Sequence, residues 1–318
     1  MNRRLRIFAP ATVANLGPGF DVLGLALTSP GDIVEAELSD RPGVEIVDVT
    51  GDQGLLSRDP VENVAGGAAA DVLRRAAQKD ARLSSHSGIR LWVHKQMPLA
   101  SGLGSSGASS AAAAVAANEL LGRPLSPLEL VLSAMEGERA ASGTPHADNV
   151  APSVMGGIIL VRSYDPFEIV SLPVPTNLRI AVVHPHCKVS TAEARTLVKN
   201  CSYGLDTIVP NLGNIAAFVM ALCSGDLGLL GRAIDDRLVE PVRAASIPGF
   251  DAVKNAALAA GALGCSIAGS GPSVFAFASD DESAHRIGRA MQSAFKSSAG
   301  LESDLHSGQV SALGARVV

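Results

Sequence analysis

The chain has 318 residues, of which 47% are hydrophobic, 18% charged and 3% aromatic, and its formal net charge is −5. This composition is typical of a globular protein long enough for one large domain or two medium ones. The negative charge argues against a nucleic-acid partner, which would require a basic face. No apolar run approaches the roughly 20 residues of a membrane helix, so no membrane partner is expected.

The sequence pattern of the first half of the chain predicts strands and helices in mixed order. Turn residues and apolar patterning predict strands at residues 6–13, 33–38, 44–49, 89–93 and 158–162. Helical periodicity predicts helices at residues 63–77 and 105–121. A capping box of Ser126 and Glu129 opens a third helix, which should run to about residue 141 and stop at Gly143. Residues 145–149 are expected to form a loop.

The second half begins after a proline-containing segment, residues 163–177, which we interpret as a domain boundary. The predicted domains are residues 1–165 and 166–318. Strands are predicted at residues 178–183, 265–268 and 273–278 and near 310–318. Helices are predicted at residues 191–198, 211–222, 226–236, 250–260 and 283–295. The mixed order favours two layers of α/β or α+β type.

The four cysteines show no close paired spacing. They predict ordinary thiols in a reducing compartment, cytoplasmic or, if a transit peptide has been removed, the plastid stroma. Residues 184–187 (HPHC) resemble part of a metal cluster, but no second ligand pair follows at zinc spacing. We therefore interpret them as ordinary structural residues.

A glycine- and serine-rich loop, PLASGLGSSGA at residues 98–108, joins a predicted strand to a predicted helix. The first N–H groups of a helix have no partners within the helix, and the helix dipole adds positive potential there, so the segment is suited to an anion. A tight turn with packing glycines is the structural alternative. The three glycines and several hydroxyl groups favour phosphate binding, with Ser105 and Ser106 placed for phosphate oxygens or a metal ion.

This loop differs from the two common nucleotide-binding patterns. It lacks the Gly-Lys-Ser/Thr ending of a Walker loop. Gly102, Gly104 and Gly107 do satisfy the G-x-G-x-x-G spacing of a dinucleotide-binding loop. However, the acids that follow, Glu119 and Glu129, fall in predicted helices rather than at the end of a second strand. The dehydrogenase interpretation is therefore disfavoured.

Four motifs in order resemble those of the GHMP kinases, which include galacto-, homoserine, mevalonate and phosphomevalonate kinases. Residues 98–108 match the pattern P-x-x-x-G-L-G-S-S-x-A of the phosphate loop of that superfamily, and residues 269–272 (GSGP) resemble its third motif. Residues 9–21 (APATVANLGPGFD) and 146–152 (HADNVAP) resemble the homoserine kinase branch. The resemblance extends along the whole chain.

The resemblance implies that MgATP phosphorylates the side-chain hydroxyl of L-homoserine, giving O-phospho-L-homoserine for threonine biosynthesis. It implies an α+β, two-domain GHMP kinase fold, with a left-handed βαβ crossover in the N-terminal domain and a ferredoxin-like α/β sandwich in the C-terminal domain. The site should lie in the cleft between the domains, and the protein should be a homodimer. Another small-molecule kinase of the superfamily, for mevalonate or a sugar, and a non-catalytic ligand sensor on the same fold are the alternatives.

The resemblance also implies residues for ATP and its metal ion. Ser106 and Glu138 would ligate Mg²⁺, a hard ion that prefers oxygen ligands. Asn63 and Lys95 are candidates for the adenine side. The phosphate-binding residues would be Pro98, Leu99, Ala100, Ser101, Gly102, Leu103, Gly104, Ser105, Ser106, Gly107 and Ala108.

For homoserine, the resemblance implies that Arg195 and Arg243 bind the carboxylate, because arginine offers bidentate contacts, and that Asp21 binds the ammonium group. Asn15 and Asn149 would orient the reacting hydroxyl.

The remaining roles concern the transfer itself. Thr191 would contact the transferred phosphate, and His146 would line the pocket. Because the amide of Asn149 cannot serve as a base, we hypothesise that no side chain deprotonates homoserine. We interpret the adjacent Asp148 as a turn-capping residue.

Overall fold

The computed structural model describes residues 4–80, 88–142 and 145–318. Its strands are β1 (Leu5–Ala14), β2 (Leu23–Ser39), β3 (Gly43–Thr50), β4 (Gly88–His94), β5 (Ile158–Tyr164), β6 (Phe167–Leu172), β7 (Arg179–Pro185), β8 (Gly264–Ile267), β9 (Val274–Ala278), β10 (Ser303–Gln309) and β11 (Arg316–Val317). Its helices are α1 (Val64–Lys79), α2 (Ser105–Leu120), α3 (Pro127–Ser142), α4 (Ala147–Met155), α5 (Thr191–Lys199), α6 (Leu205–Ser224), α7 (Leu227–Ala233), α8 (Glu240–Arg243), α9 (Phe250–Ala259) and α10 (Asp281–Ala299).

The first sheet has the strand order β11-β1-β2-β4-β3, and β5 and β6 extend it from β2. Strands β3 and β4 run parallel, and the chain between them forms α1. The remaining pairs of this sheet are antiparallel. The β3-α1-β4 unit is therefore a βαβ crossover, and its left-handed sense stays a prediction.

The second sheet has the order β10-β7-β9-β8, with antiparallel pairs. Helices α5 to α9 follow β7, and α10 follows β9. The unit therefore places its fourth, first, third and second strands side by side, which is the ferredoxin-like βαββαβ arrangement. The predicted α+β fold is confirmed.

Small side chains allow α2 to pack closely in the first layer. Its residues 111–114, all alanine, are fully buried, and α2 contacts α1, α3, α4 and the first sheet. The larger hydrophobic core also includes Phe275 and Phe277 of β9. Because one core joins both sheets, the start of α2 has a fixed position relative to the second sheet.

Several predicted elements differ from the observed ones. Residues 147–155 form α4, whereas the prediction placed a loop at 145–149. The helix predicted from residue 211 begins at Leu205, because it continues through Pro210 instead of starting after it. The last strands are β10 and β11, and most of the predicted strand at 310–318 is irregular. The capping box is confirmed, since Ser126 N–H donates to Glu129 at 2.8 Å. Gly143, the predicted end of that helix, lies outside the described residues.

The predicted domain boundary contains a strand. Strand β6 pairs with β5 in the first sheet, so the chain passes to the second sheet between Leu172 and Arg179. The last strand, β11, returns to pair with β1. The division at residues 165 and 166 stays a prediction.

Within the described residues, one helix is long and apolar enough to cross a membrane, judged by length and composition alone. This helix is α6, with 20 residues and a mean hydropathy of 1.5. The expectation that no apolar run reaches this length was therefore wrong. Polar residues attach one side of α6 to the protein: Asn211 donates to Pro18 O at 3.1 Å, and Asn214 donates to Asp235 O at 2.7 Å.

Candidate active site

A cavity of about 370 Å³ lies between the phosphate loop, α3, α4, α5 and the loop at residues 269–270. Most of the predicted site residues line it: Asn15, Asp21, Asn63, Lys95, Leu99, Ala100, Ser101, Gly102, Gly104, Ser105, Ser106, Glu138, His146, Asn149, Thr191, Arg195 and Arg243. Four loop residues do not line it: Pro98, Leu103, Gly107 and Ala108. Of these, Leu103 and Ala108 are fully buried and pack into the hydrophobic core.

The phosphate loop depends on Gly104, which precedes the first residue of α2 and has a φ of +64°. A Cβ at this position would lie 2.0 Å from Thr12 Oγ1 and 2.7 Å from Asn149 Oδ1. Only glycine combines this left-handed conformation with such a close approach. The loop is therefore fitted directly against the residue predicted to orient the hydroxyl.

A buried ion pair supports the loop from behind. Lys95 Nζ pairs with Asp32 and donates to Ser105 O and Ser109 Oγ, each at 2.8 Å. Asp32 also accepts from Gln96 N at 2.9 Å. The ammonium group of Lys95 thus has three partners within the protein, and Lys95 stabilises the loop in this structure instead of facing adenine.

Two further predicted contacts of ATP have internal partners. Ser105 Oγ lies 3.3 Å from Asp32 Oδ2, so a phosphate contact of Ser105 would use its backbone N–H. Asn63 caps α1, since its Oδ1 accepts from Ala65 N at 3.0 Å and its Nδ2 donates to Ser57 O at 2.8 Å. Ser106, in contrast, is exposed on the cavity side.

The second sheet holds the loop from the opposite side. Ser273 Oγ donates to Ser101 O at 2.6 Å, and His184 Nδ1 lies 3.1 Å from the same Oγ. Because the single proton of Ser273 is used by Ser101, His184 Nδ1 donates to Ser273. Burial lowers the pKa of His184, consistent with a neutral ring in this tautomer.

No metal cluster is found at residues 184–187. His186 Nε2 lies 3.0 Å from Asp304 Oδ2, and His184 Nδ1 forms a hydrogen bond with Ser273 Oγ. In the part of the chain that the structure describes, no group of three or more His, Cys, Asp or Glu residues could hold a metal ion. All four cysteines are free thiols.

Charged residues form one wall of the cavity. Arg195 Nη2 lies 2.9 and 3.0 Å from the two carboxylate oxygens of Asp21. Arg243, which is buried, donates from Nη1 to Gly269 O at 2.8 Å. Both guanidinium groups lie near Phe20, at 5.7 and 5.1 Å from the ring centroid. The two arginines and the carboxylate that the resemblance assigns to homoserine therefore face one space.

The predicted hydroxyl-orienting residues differ in their surroundings. Both ends of the Asn15 amide are used, since Nδ2 donates to Gly269 O at 2.9 Å and Oδ1 accepts from Asp21 N at 3.2 Å. Asn149 Oδ1 accepts from Thr12 Oγ1 at 2.8 Å, so its amide nitrogen is the end that can donate to a ligand. Thr191 is the first residue of α5, and its Oγ1 lies 3.2 Å from Ser270 Oγ.

Two acidic residues, Glu138 and Asp148, lie near His146. Its Nδ1 lies 3.5 Å from Glu138 Oε2, and Glu138 is buried. Burial acts to lower the pKa of His146, but the hydrogen bond with Glu138 and the nearby negative charges outweigh it and raise the pKa.

The turn-capping interpretation of Asp148 is wrong. Its side chain is buried within the first turn of α4, and His146 occupies the N-cap position. Burial raises the pKa of Asp148 to about 6, and the charge of Asp21 acts in the same direction.

Comparisons with known proteins agree with this geometry. Residues 63–157 match the family description of the GHMP kinases N terminal domain, and residues 218–297 match that of the GHMP kinases C terminal. The chain is 47% identical over 317 residues to a homoserine kinase of Chlorobium phaeobacteroides (strain BS1), with 98% of each chain covered. The chain belongs to the homoserine kinase family of GHMP kinases.

Two further homoserine kinases extend this relationship. That of Arabidopsis thaliana is 42% identical over 326 residues, covering 99% of this chain and 84% of the other. The crystal structure of homoserine kinase from Cytophaga hutchinsonii superposes with a TM-score of 0.93 at 46% identity, covering 99% of this chain and 97% of the other.

Sequence reasoning on this GHMP kinase missed three supporting residues. Thr12 lies inside the motif at residues 9–21 but carried no predicted role. Asp32 is one of three acids in β2 and is fully buried, and the apolar residues directly after it, Ile33 and Val34, were the available signal. Ser273 follows the third motif directly, and nothing in the sequence connects it to Ser101.

Proposed function

We propose that this protein transfers the γ-phosphoryl group of ATP to the side-chain hydroxyl of L-homoserine, yielding ADP and O-phospho-L-homoserine for threonine biosynthesis. Membership of the homoserine kinase family supports the reaction. The observation that carries the substrate assignment is the pairing of opposite charges on one cavity wall, where Arg195 and Arg243 lie beside Asp21. A free amino acid carries both charges and fits such a wall.

In this proposal each end of homoserine has its own partner. The carboxylate binds Arg195 and Arg243, whose guanidinium groups present paired N–H donors. The ammonium group binds Asp21. Mevalonate and galactose have no ammonium group, so the wall favours homoserine over the substrates of related kinases.

The phosphates of ATP bind at the loop through backbone N–H groups. Helix α2 begins at Ser105, and its first N–H groups have no partners within the helix, so they face an anion favourably. The contacts of Lys95 and Ser273 hold this backbone from two sides. The loop thus needs no lysine of the Walker type.

A magnesium ion fits the donor set of the same cavity. The Ser106 hydroxyl and the Glu138 carboxylate both line the cavity, and both are oxygen donors. Mg²⁺ commonly uses one or two protein ligands and completes its shell with waters and substrate phosphates, so this pair is sufficient. When bound, the ion supplies positive charge to the phosphate oxygens.

The transfer needs positioning more than proton abstraction. Thr12 holds the amide oxygen of Asn149, so the amide nitrogen donates to the homoserine hydroxyl oxygen. That oxygen forms a bond to the γ-phosphorus while the bond from phosphorus to the β–γ bridging oxygen breaks. The hydroxyl proton passes to an oxygen of the transferred phosphoryl group, so no side chain of the protein acts as the base.

We also propose a homodimer formed through α6. Its outward side carries Leu205, Val209, Leu212 and Met220, which are 76%, 59%, 60% and 57% exposed. From residue 207 to 224 the helix has no charged residue, so no like charges would oppose each other where two copies meet across a two-fold axis. Light scattering should give twice the mass of the chain, and Leu212→Glu should give the monomer mass. An unchanged mass in this variant would contradict the proposed interface.

A coupled ADP-release assay tests the activity. We expect ADP with ATP and L-homoserine, and only background release with mevalonate or galactose. Activity with mevalonate or galactose instead of homoserine would favour another kinase of the superfamily. Tight ATP binding without ADP release on any of the three would favour a ligand sensor.

A further inference from the structure

Asp148 is a buried acid of the cavity wall to which the mechanism above gives no role. Its side chain is 2% exposed, and its residue lines the cavity. Among the described residues, Oδ1 of Asp148 has no hydrogen-bond partner. Burying a polar oxygen without a partner is costly, so such an atom in a binding cavity points to a ligand that supplies the donor.

The backbone fixes the position of Asp148. A Cβ on Gly24 of β2 would lie only 1.7 Å from Asp148 O, so the first turn of α4 packs directly on the sheet. Asp148 belongs to that first turn. The carboxylate is therefore presented by a rigid element and not by a mobile loop.

The charges around Asp148 show what kind of ligand it lacks. Asp21, His146 and Arg195 are the charged groups that act on it most strongly. Arg195 uses one nitrogen on both carboxylate oxygens of Asp21, so that pair is nearly neutral. Asp148 is thus an additional negative charge beside Asp21, and Arg243 is an additional positive charge on the same cavity.

We infer that Asp148 binds the ammonium group of the amino-acid substrate together with Asp21, and that it determines specificity for an amino acid over the corresponding hydroxy acid. This inference rests on the proposed homoserine kinase activity. An ammonium group has three donors, and Asp21 alone, already shared with Arg195, cannot accept all of them. With Asp148 included, two carboxylates and two guanidinium groups surround one zwitterion, and the charges balance.

The test compares L-homoserine with 4-hydroxybutyrate, which has the same carboxylate and hydroxyl but no ammonium group. In Asp148→Asn, kcat/KM for homoserine should fall about 10- to 100-fold, mainly through KM, the size expected for a lost hydrogen bond to a charged group. We expect the wild type to turn over 4-hydroxybutyrate more slowly than homoserine, and this turnover should stay the same or rise in Asp148→Asn. Asp251→Asn, an exposed change in α9, serves as the matched control and should behave as the wild type.

Two results would overturn the inference while the kinase activity stands. One is an unchanged KM for homoserine in Asp148→Asn. The other is an equal loss of kcat with both substrates, which would make Asp148 a base or a purely structural residue. A wild-type protein that releases no ADP with homoserine would instead overturn the proposed function, and this inference with it.

A second variant keeps the test independent of the folding of Asp148→Asn. In Asp21→Asn, Asp148 remains, so homoserine should still be preferred over 4-hydroxybutyrate by about 10-fold or more. Complete loss of this preference in Asp21→Asn would show that Asp148 contributes nothing to ammonium binding.

Discussion

Arg195 Nη2 lies within 3.0 Å of both carboxylate oxygens of Asp21, and the two residues come from opposite parts of the fold. Asp21 follows β1, whereas Arg195 lies in α5, which follows the first strand of the second sheet. The ion pair therefore joins the two layers across the cavity. It also keeps both groups in place for the two charged ends of an amino acid.

The first prediction concerns the guanidinium geometry of this pair. Arg195→Lys keeps the charge but loses the paired donors, so we expect KM for homoserine to rise about 10-fold or more while KM for ATP stays constant. Steady-state kinetics with each substrate varied would measure this. Arg179→Lys is the control, because Arg179 pairs with Asp281 and does not line the cavity. Equal kinetics for the two variants would show that Arg195 is only a structural ion-pair partner.

The second prediction uses two glycines with similar backbone conformations. Gly104 has a φ of +64° and Gly122 a φ of +81°, but a Cβ would collide with Thr12 only at Gly104. Gly104→Ala should therefore lower kcat/KM for ATP by about 100-fold, because the loop must move away from Asn149. Gly122→Ala carries a similar backbone strain without a collision and should keep nearly full activity. Comparable activity losses in both variants would mean that strain alone, not loop placement, matters.

The third prediction separates the two serines at the start of α2. Ser106→Ala should raise the Mg²⁺ concentration for half-maximal activity about 10-fold, because one oxygen ligand is lost. Ser105→Ala should change it by less than about threefold, because Ser105 Oγ faces Asp32 at 3.3 Å. A titration of activity against Mg²⁺ at fixed ATP distinguishes them. The reverse order of effects would assign the metal to Ser105.

The fourth prediction follows from the pKa of Asp148, which burial raises from its ordinary value of 3.8 to about 6. Between these values the folded state binds more protons than the unfolded state, so the free energy of unfolding falls as the pH rises through this window. Asp148→Asn lacks this penalty. The difference between its Tm and that of the wild type should shrink toward zero as the pH falls below 3.8, and its Tm should exceed the wild-type value by a few degrees at pH 7.5.

Thermal unfolding followed by circular dichroism across this pH range measures the difference. Asp251→Asn should show none, because Asp251 is exposed. A Tm difference for Asp148→Asn that stays constant with pH would contradict the assignment of the raised pKa.

Residues that belong to short sequence motifs lie together in the structure, and their roles in binding and catalysis stay predictions. The loop at residues 98–108, Asp21, Glu138 and the two arginines all belong to local patterns, and most of them line one cavity. The α+β class and most helices followed from periodicity. Helix α4 was missed because Asp148, Asn149 and Pro152 are typical of turns, and tertiary packing against β2 overrides this preference.

What the sequence could not show are contacts between residues far apart along the chain. Lys95 with Asp32 and Ser273 with Ser101 pair only because strands meet in the folded protein. Whether Asp148 caps a turn or is buried in a cavity also depends on what packs over it. These residues carry no motif of their own, so only the structure reveals that they support or line the site.

Phosphorylation of homoserine can be observed directly by ³¹P nuclear magnetic resonance of the reaction mixture. With ATP, Mg²⁺ and L-homoserine, we expect a new phosphomonoester signal that coincides with added O-phospho-L-homoserine and grows in equal amount with ADP. The proposed activity would be contradicted if no phosphohomoserine signal formed although the protein bound ATP or phosphorylated a different alcohol.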